Sequence, residues 1–267
     1  MSRRLSAEPE YSIRKTAAMK ARLDKLLVER GLAPTRERAQ ALILAGRVLV
    51  KEQKIDKPGH AVPGDAPIRL LGSDLRYVSR GGLKLEAALT HWKIDLHGRF
   101  CLDTGASTGG FTDCMLQHGA ARVLAIDTGY GQIAQTLRDD PRVTLMERTN
   151  ARLLSAGDLP AGISFFAMDV SFISATLVLP PVLAAVRHAS SADAAVEAVI
   201  LVKPQFEAGR EHIGKGGIVR DPAAHRLAIE RVRGCVEELG GGDIELIESP
   251  ITGTEGNREF LLHAQWH

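Results

Sequence analysis

Phe100-Cys101-Leu102-Asp103-Thr104-Gly105-Ala106-Ser107-Thr108-Gly109-Gly110-Phe111 carries a strand, a tight turn and the start of a helix in twelve residues. Phe100 to Asp103 reads as a short buried strand, the glycine-rich run from Thr104 to Gly110 as the turn, and Phe111 to His118 as the helix. The pattern continues outward. Arg122 to Asp127 is a second strand ending in an acid, and Val143–Met146, Phe165–Asp169 and Val199–Lys203 are further strands. Strands alternating with helical segments specify an α/β domain, a mostly parallel sheet with helices on both faces. Ligands of such sheets sit at the carboxyl ends of the strands, where Asp103, Asp127, Asp169 and Lys203 all fall.

The turn is not a dinucleotide fingerprint, because Ser107 stands where Gly-x-Gly-x-x-Gly needs its second glycine. The form Asp103-x-Gly105-x-x-x-Gly109-Gly110 still admits close backbone approach to a ligand. Asp127, 18 residues beyond Gly109, is placed to accept hydrogen bonds from a ribose diol. With no phosphate clamp in the run, the expected cofactor is a nucleoside with an amino-acid tail, S-adenosylmethionine. A strand-to-helix turn with no ligand is the alternative. A second glycine cluster, Gly209 to Gly216, approaches a Walker A loop but has Gly216 where a magnesium-binding Ser or Thr belongs. It reads as a mobile substrate loop or an ordinary surface loop.

Four charged residues stand at strand ends or beside apolar runs: Lys84, Asp169, Lys203 and Glu259. Charges in such places are costly unless paired. Two lysines and two acids can pair, either as structural ion pairs or as reacting groups.

The N-terminal part has a different character. Residues 1–80 carry 17 Lys and Arg against 9 Asp and Glu, and the rest carries 17 against 23. This asymmetry suggests a basic module joined to an acidic body. Leu23, Leu26 and Leu27 have helical spacing, with Gly31 as C-terminal cap; Thr35 is the N-cap of a second helix bearing Ala39, Leu42 and Ile43. Short strands at Arg47–Val50 and Ile68–Leu71 follow. Off the apolar stripes lie Arg22, Lys25, Arg36, Arg38, Gln40, Arg47 and Lys51, which could share one face for RNA phosphates. The alternative is a small helical domain with a charged surface. The expected boundaries are a tail over 1–19, a basic domain over 20–75, a bendable linker over 76–82 and the catalytic body over 83–267.

Composition narrows the class further. The chain of 267 residues is 45% hydrophobic and 25% charged, ordinary for globular proteins. Its longest uncharged apolar run, Ala175 to Val186, is broken by Pro180 and Pro181 and falls well short of the roughly 20 residues of a membrane span. Three cysteines, Cys101, Cys114 and Cys235, provide neither a disulfide framework nor a zinc site, so no metal is expected. No secretory signal is visible at the N-terminus, and the cytoplasm is the expected compartment.

The strings Arg22-Leu23-Asp24-Lys25-Leu26-Leu27, Thr35-Arg36-Glu37-Arg38-Ala39-Gln40 and Ile43 to Val50 resemble the S4-type RNA-binding domain, named after a protein of the small ribosomal subunit. The whole of residues 20–263 resembles the TlyA family of rRNA 2'-O-methyltransferases. That likeness rests on Ser79-Arg80-Gly81, Leu102 to Thr112, Gly129-Tyr130-Gly131-Gln132, Glu147 to Arg152, Val170 to Ser174 and Val202 to Glu207. It implies a Rossmann-like FtsJ-type methyltransferase sheet behind a small α+β S4-like domain. It also implies a Lys-Asp-Lys-Glu tetrad on Lys84, Asp169, Lys203 and Glu259, and cytidine 2'-hydroxyls of small- and large-subunit rRNA as substrates. The cofactor-binding set is then Asp103, Gly105, Ser107, Gly109, Gly110, Phe111, Asp127, Asn150 and Asp169, with Arg80 added to the RNA contacts. Leu75-Arg76-Tyr77-Val78 departs from the family's Arg-x-Trp-Val linker.

In-line methyl transfer requires a positioned hydroxyl and loss of one proton. A lysine serves as base only where burial and a neighbouring cation make its neutral form accessible. Lys203 is the expected base or hydroxyl-polarising group, with Asp169 and Glu259 orienting lysines and hydroxyl. The family also carries a haemolysin label, so a membrane-active protein and an inactive RNA-binding assembly factor are the competing functions. The expected partners are ribosomal RNA or ribosomal subunits, with no stable membrane partner.

Overall fold

The computed structural model describes residues 20–33, 35–71, 76–189, 195–253 and 255–267. The expected tail over 1–19 lies outside these residues. The chain divides into two compact units, Met1–Asp74 and Leu75–His267.

In the first unit, β1 (Lys20–Arg22), α1 (Leu23–Glu29), α2 (Arg36–Leu44), β2 (Val48–Val50), β3 (Gln53–Ile55), β4 (Ala61–Pro63) and β5 (Ile68–Leu70) follow in order. Thr35 caps α2, its side chain accepting the Arg38 N–H at 3.2 Å, as its sequence position predicts. Leu23, Leu26, Leu27, Leu42 and Ile43 pack with Val48 and Val62 in one small core. The strands form a three-stranded sheet β3-β2-β5 and a pair β1-β4. Sequence periodicity misses β1, β3 and β4, which lack the pairs of branched aliphatic residues that mark the equally short β2 and β5.

The second unit comprises α3 (Gly81–Trp92), β6 (Phe100–Thr104), α4 (Gly110–Gln117), β7 (Arg122–Ile126), α5 (Gln135–Arg138), β8 (Val143–Met146), β9 (Ile163–Met168), α6 (Ala175–His188), β10 (Val196–Val202), α7 (Pro204–Glu207), α8 (Pro222–Glu238), β11 (Gly242–Glu248) and β12 (Phe260–Trp266). Seven strands form one sheet in the order β11-β12-β10-β9-β6-β7-β8. The strands from β8 to β10 are parallel, and β12 runs antiparallel to both β10 and β11. Side chains of α6 and α8 pack on one face of the sheet, and those of α3 and α4 on the other. Strand order reverses between β6 and β9, the switch point at which open α/β sheets hold ligands.

Two expectations need correction. Residues 76–82 are not a bendable linker. Tyr77 is buried in the core with Leu85 and Cys114, the Val78 N–H donates to Asp113 Oδ2 at 2.7 Å, and Gly81 and Gly82 open α3. Gly82 serves close packing, since a Cβ there would meet Tyr77 Cγ at 2.3 Å. Nor do Pro180 and Pro181 interrupt their apolar run: α6 continues through both. Its buried stripe of Val178, Leu179, Val182, Leu183 and Val186 outweighs the lost hydrogen bonds. The Thr176 carbonyl, which Pro180 cannot serve, is contacted by the Cys235 thiol at 3.8 Å. Among the described residues, no helix is long and apolar enough to cross a membrane.

Candidate active site

The turn after β6 is built on left-handed backbone, with φ of 89° at Gly105, 48° at Ser107 and 94° at Gly109. The Gly105 and Ala106 N–H groups both donate to the Ile126 carbonyl, which draws the turn over the end of β7. A Cβ at Gly105 would stand 2.5 Å from the Asp169 carbonyl oxygen, so only glycine lets the ends of β6 and β9 approach this closely. Gly109 has a different task. A Cβ there would strike Leu137 Cδ1 at 2.3 Å and Ile133 Cγ1 at 2.9 Å. It packs the turn on α5 and lines neither cavity described below.

Asp127 is held at the end of β7 by two backbone donors, Ser107 N to Oδ2 at 2.8 Å and Gly129 N to Oδ1 at 2.6 Å. Asp103 is wholly buried. Its Oδ2 accepts the Thr112 N–H at 2.9 Å and hydroxyl at 2.6 Å, and its Oδ1 has no hydrogen-bond partner among the described residues. Burial pushes its carboxyl up to about 7, with the nearby Asp169 and Asp127 charges adding to the rise and Thr112 opposing it. Asp103 supports the turn from below and does not line the cavities.

Two adjoining cavities open at the switch point. The smaller, about 310 Å³, lies among Gly105, Ser107, Asp127, Asn150 and Asp169, with Ile126, Ile173 and Val178 as apolar wall. Its lining carries two carboxylates and no basic side chain. The larger, about 610 Å³, holds Lys84, Asp169, Lys203 and Glu259, with Arg80, Gly110 and Phe111 at its wall. The four charged residues resolve into two pairs. Lys84 Nζ donates to Glu259 Oε2 at 2.5 Å, and both groups are buried. Lys203 Nζ lies 2.6 Å from Asp169 Oδ1 and donates to Ser171 Oγ at 2.7 Å.

Two lining residues, Ser171 and Phe172, and the nearby Glu207 are not separately legible in the sequence. Ser171 is the hydroxyl partner of Lys203. Phe172 has a φ of 63°, is 93% exposed, and sets its ring 5.5 Å from that of Phe206. Glu207 is buried, and burial raises its carboxyl, with its hydrogen bonds opposing. It accepts from the Ser174 hydroxyl at 2.5 Å and the Ala175 N–H at 2.7 Å, tying the end of α7 to the start of α6. All three lie inside strings quoted above, but only the fold assigns each a task. The Gly209–Gly216 cluster contributes Ile213 to the larger cavity. The adjoining backbone is fastened by Asn257, which accepts from Val219 N–H at 2.9 Å and donates to the Gly217 carbonyl at 2.9 Å.

In the first unit, Arg22, Arg36 and Gln40 converge on the carboxylate of Asp24. Lys25 and Lys51 are exposed, Arg38 is half-buried, and Arg47 Nε donates to the Leu71 carbonyl at 2.9 Å. Arg80 belongs to the second unit, on the larger cavity.

Residues 77–266 match the FtsJ-like methyltransferase family, and residues 21–68 match the S4 domain. TlyA of Mycobacterium tuberculosis, a 16S/23S rRNA (cytidine-2'-O)-methyltransferase, is 44% identical over 246 residues, 92% of this chain and 90% of that protein. This chain belongs to the TlyA family of FtsJ-like methyltransferases. YqxC of Bacillus subtilis, named as an rRNA methyltransferase, is 50% identical over 248 residues, 92% of this chain and 86% of that one. A solved structure from Streptococcus thermophilus, described as a hemolysin, is 43% identical with a TM-score of 0.70, covering 93% of this chain and 89% of its own. The TlyA-type combination of S4 domain and Rossmann-like methyltransferase sheet is therefore the architecture of this chain.

Proposed function

We propose that this chain transfers a methyl group from S-adenosylmethionine to cytidine 2'-hydroxyls of small-subunit rRNA, large-subunit rRNA or both, in the cytoplasm. The observation that carries this reading is the pair of ion pairs, Lys84–Glu259 and Lys203–Asp169, lining one cavity at the carboxyl ends of the strands.

The cofactor assignment rests on the smaller cavity. Its lining holds Asp127 and the Lys203-paired Asp169, with no basic side chain among the described lining residues, an acidic wall that repels a pyrophosphate and attracts a cation, which suits a sulfonium nucleoside. Asp127 would hold the ribose diol, Asn150 and the apolar wall would hold the base end, and Gly105 and Ser107 bring backbone within reach. Bound there, the cofactor supplies an electrophilic methyl group on a cationic sulfur.

The remaining work falls to side chains of this chain. Lys203, fixed between Asp169 and Ser171, would engage the 2'-hydroxyl with the remaining position on its nitrogen, either polarising it through an N–H or, as the free amine, taking its proton on the nitrogen lone pair as the methyl group transfers. Asp169 compensates the charge of Lys203 and orients it. Lys84 and Glu259 form a second fixed dipole in the cavity, and Arg80 is a phosphate contact at its wall. The S4 domain, with Arg22, Lys25, Arg36, Arg38, Gln40, Arg47 and Lys51, would supply sequence-tolerant affinity for folded RNA.

The test is transfer of labelled methyl from S-adenosylmethionine to purified 30S and 50S subunits from a strain lacking the gene, followed by mapping of 2'-O-methylcytidine. Label on the ribose of one or both rRNAs is expected; no label on either would overturn the proposal. The haemolysin name of some relatives motivates a parallel liposome-leakage assay, for which no leakage is expected.

A further inference from the structure

Asp24 is fully buried, yet it lies in the most basic part of the chain. Its Oδ1 accepts from Arg22 Nε at 3.0 Å and from the Lys25 N–H at 2.9 Å. Its Oδ2 accepts from Arg22 Nη2 at 2.9 Å, Arg36 Nε at 3.0 Å and Gln40 Nε2 at 3.0 Å. Five donors on one carboxylate, led by the Arg22 fork, hold this group well below the usual carboxylate range despite its burial. The side-chain donors come from the end of β1 and the first two turns of α2, so a single acid fixes side chains from two elements. Arg22 and Arg36 meanwhile keep their side chains 47% exposed. Two guanidinium groups share one carboxylate, which leaves the cluster with net positive charge and with N–H groups not used on Asp24.

We propose that Asp24 is a positioning residue for RNA recognition. It holds Arg22, Arg36 and Gln40 as one preformed donor array for the backbone phosphates of folded RNA. The proposal rests on the reading of the first unit as RNA-binding. Its physical content is preorganisation: a guanidinium already fixed by a carboxylate loses less freedom when its remaining N–H groups meet a phosphate. An S4-type face that worked by charge density alone would gain from loss of the acid.

The sign of one substitution separates these accounts. Asp24→Asn in the full chain keeps the shape, adds one positive charge and places an amide N–H₂ against the guanidinium groups. RNA affinity is measured as a function of salt, with thermal unfolding by circular dichroism and S-adenosylmethionine binding by calorimetry alongside. Positioning predicts binding weaker by roughly ten- to a hundredfold, the factor of one lost hydrogen bond to a charged group, with cofactor binding unchanged. Equal or tighter RNA binding by a folded Asp24→Asn protein would overturn the proposal. Should that variant unfold, Arg36→Lys decides the matter, since it keeps the charge but loses the fork. Positioning predicts that Arg36→Lys binds nearly as weakly as Arg36→Ala; full retention of affinity in Arg36→Lys would refute it. Absence of RNA binding by the unaltered chain would remove the underlying reading as well, a result distinct from normal binding that Asp24→Asn leaves unmoved.

Discussion

Lys203 Nζ stands 2.6 Å from Asp169 Oδ1, and this contact joins the ends of two adjacent parallel strands, β10 and β9. Neighbouring parallel strands end at the same edge of the sheet, so residues directly after each are brought side by side. The same lysine donates to Ser171, which leaves the third position on its nitrogen for a substrate hydroxyl, an N–H if the group polarises it and a lone pair if the group takes its proton. Lys203→Ala is expected to lower single-turnover methyl transfer by about 10²–10⁴-fold with cofactor affinity unchanged. Lys203→Arg should be nearly as inactive if the group takes a proton, because arginine stays charged. Near-normal turnover in Lys203→Ala would remove this residue from the reaction.

The two conformationally demanding glycines of the turn should fail differently. Gly105→Ala forces a Cβ against the Asp169 carbonyl and is expected to weaken cofactor binding at least tenfold, read by calorimetry. Gly109→Val drives side-chain atoms into Leu137 and Ile133. Overpacking of this kind costs about 1–3 kcal/mol, so the melting temperature of the second unit should fall along with affinity. A Gly109→Val protein with normal stability and abolished cofactor binding would contradict the packing role assigned to that residue.

Asp103 makes a pH prediction with a definite sign. Its folded pKa of about 7 lies above the ordinary 3.8, so between these values the folded chain binds the extra proton. Stability contributed at this site is full below about pH 4, declines as pH rises, and is lost by about pH 7. Asp103→Asn cannot ionise, so its stability relative to the unaltered chain should improve from pH 5 to about pH 7 and level off above it in urea titrations. A pH-independent difference would show that Asp103 does not carry the buried proton.

Phe172 combines a left-handed backbone, rare for a bulky side chain, with a ring almost entirely in solvent beside the cavity. Exposed aromatic faces on nucleic-acid enzymes stack bases, at about 1–3 kcal/mol per base. Phe172→Ala is expected to reduce methyl transfer to rRNA by roughly tenfold or more while leaving cofactor affinity and melting temperature unchanged. Retained transfer would assign the ring to another task.

How much could be read from the residues alone follows from the range of the forces involved. The strands, the turn and Asp127 announce themselves because apolar runs, glycines and strand-terminal acids are local signals. The four charged residues were legible as a set, but not the partnership of Lys84 with Glu259, which are 175 positions apart and meet only through sheet order. Asp24 was invisible as an organiser because an acid in the first turn of a helix ordinarily faces water. The helix through Pro180 and Pro181 was misjudged for a related reason: local cost is visible in sequence, whereas the burial that outweighs it is tertiary. Ser171, Phe172 and Glu207 gave no signal of their own, because their tasks are set by what stands opposite them.

The position of β12 has a consequence for synthesis. Glu259 directly precedes this strand, which inserts between β10 and β11, so the partner of Lys84 reaches the cavity only after the first unit and the other six strands of this sheet have been made. Units of a nascent chain generally fold in order, the N-terminal one first. An emerging molecule would therefore grip RNA before it could methylate it. A fragment ending ahead of Phe260 would occupy ribosomal RNA as a competitor of the intact enzyme.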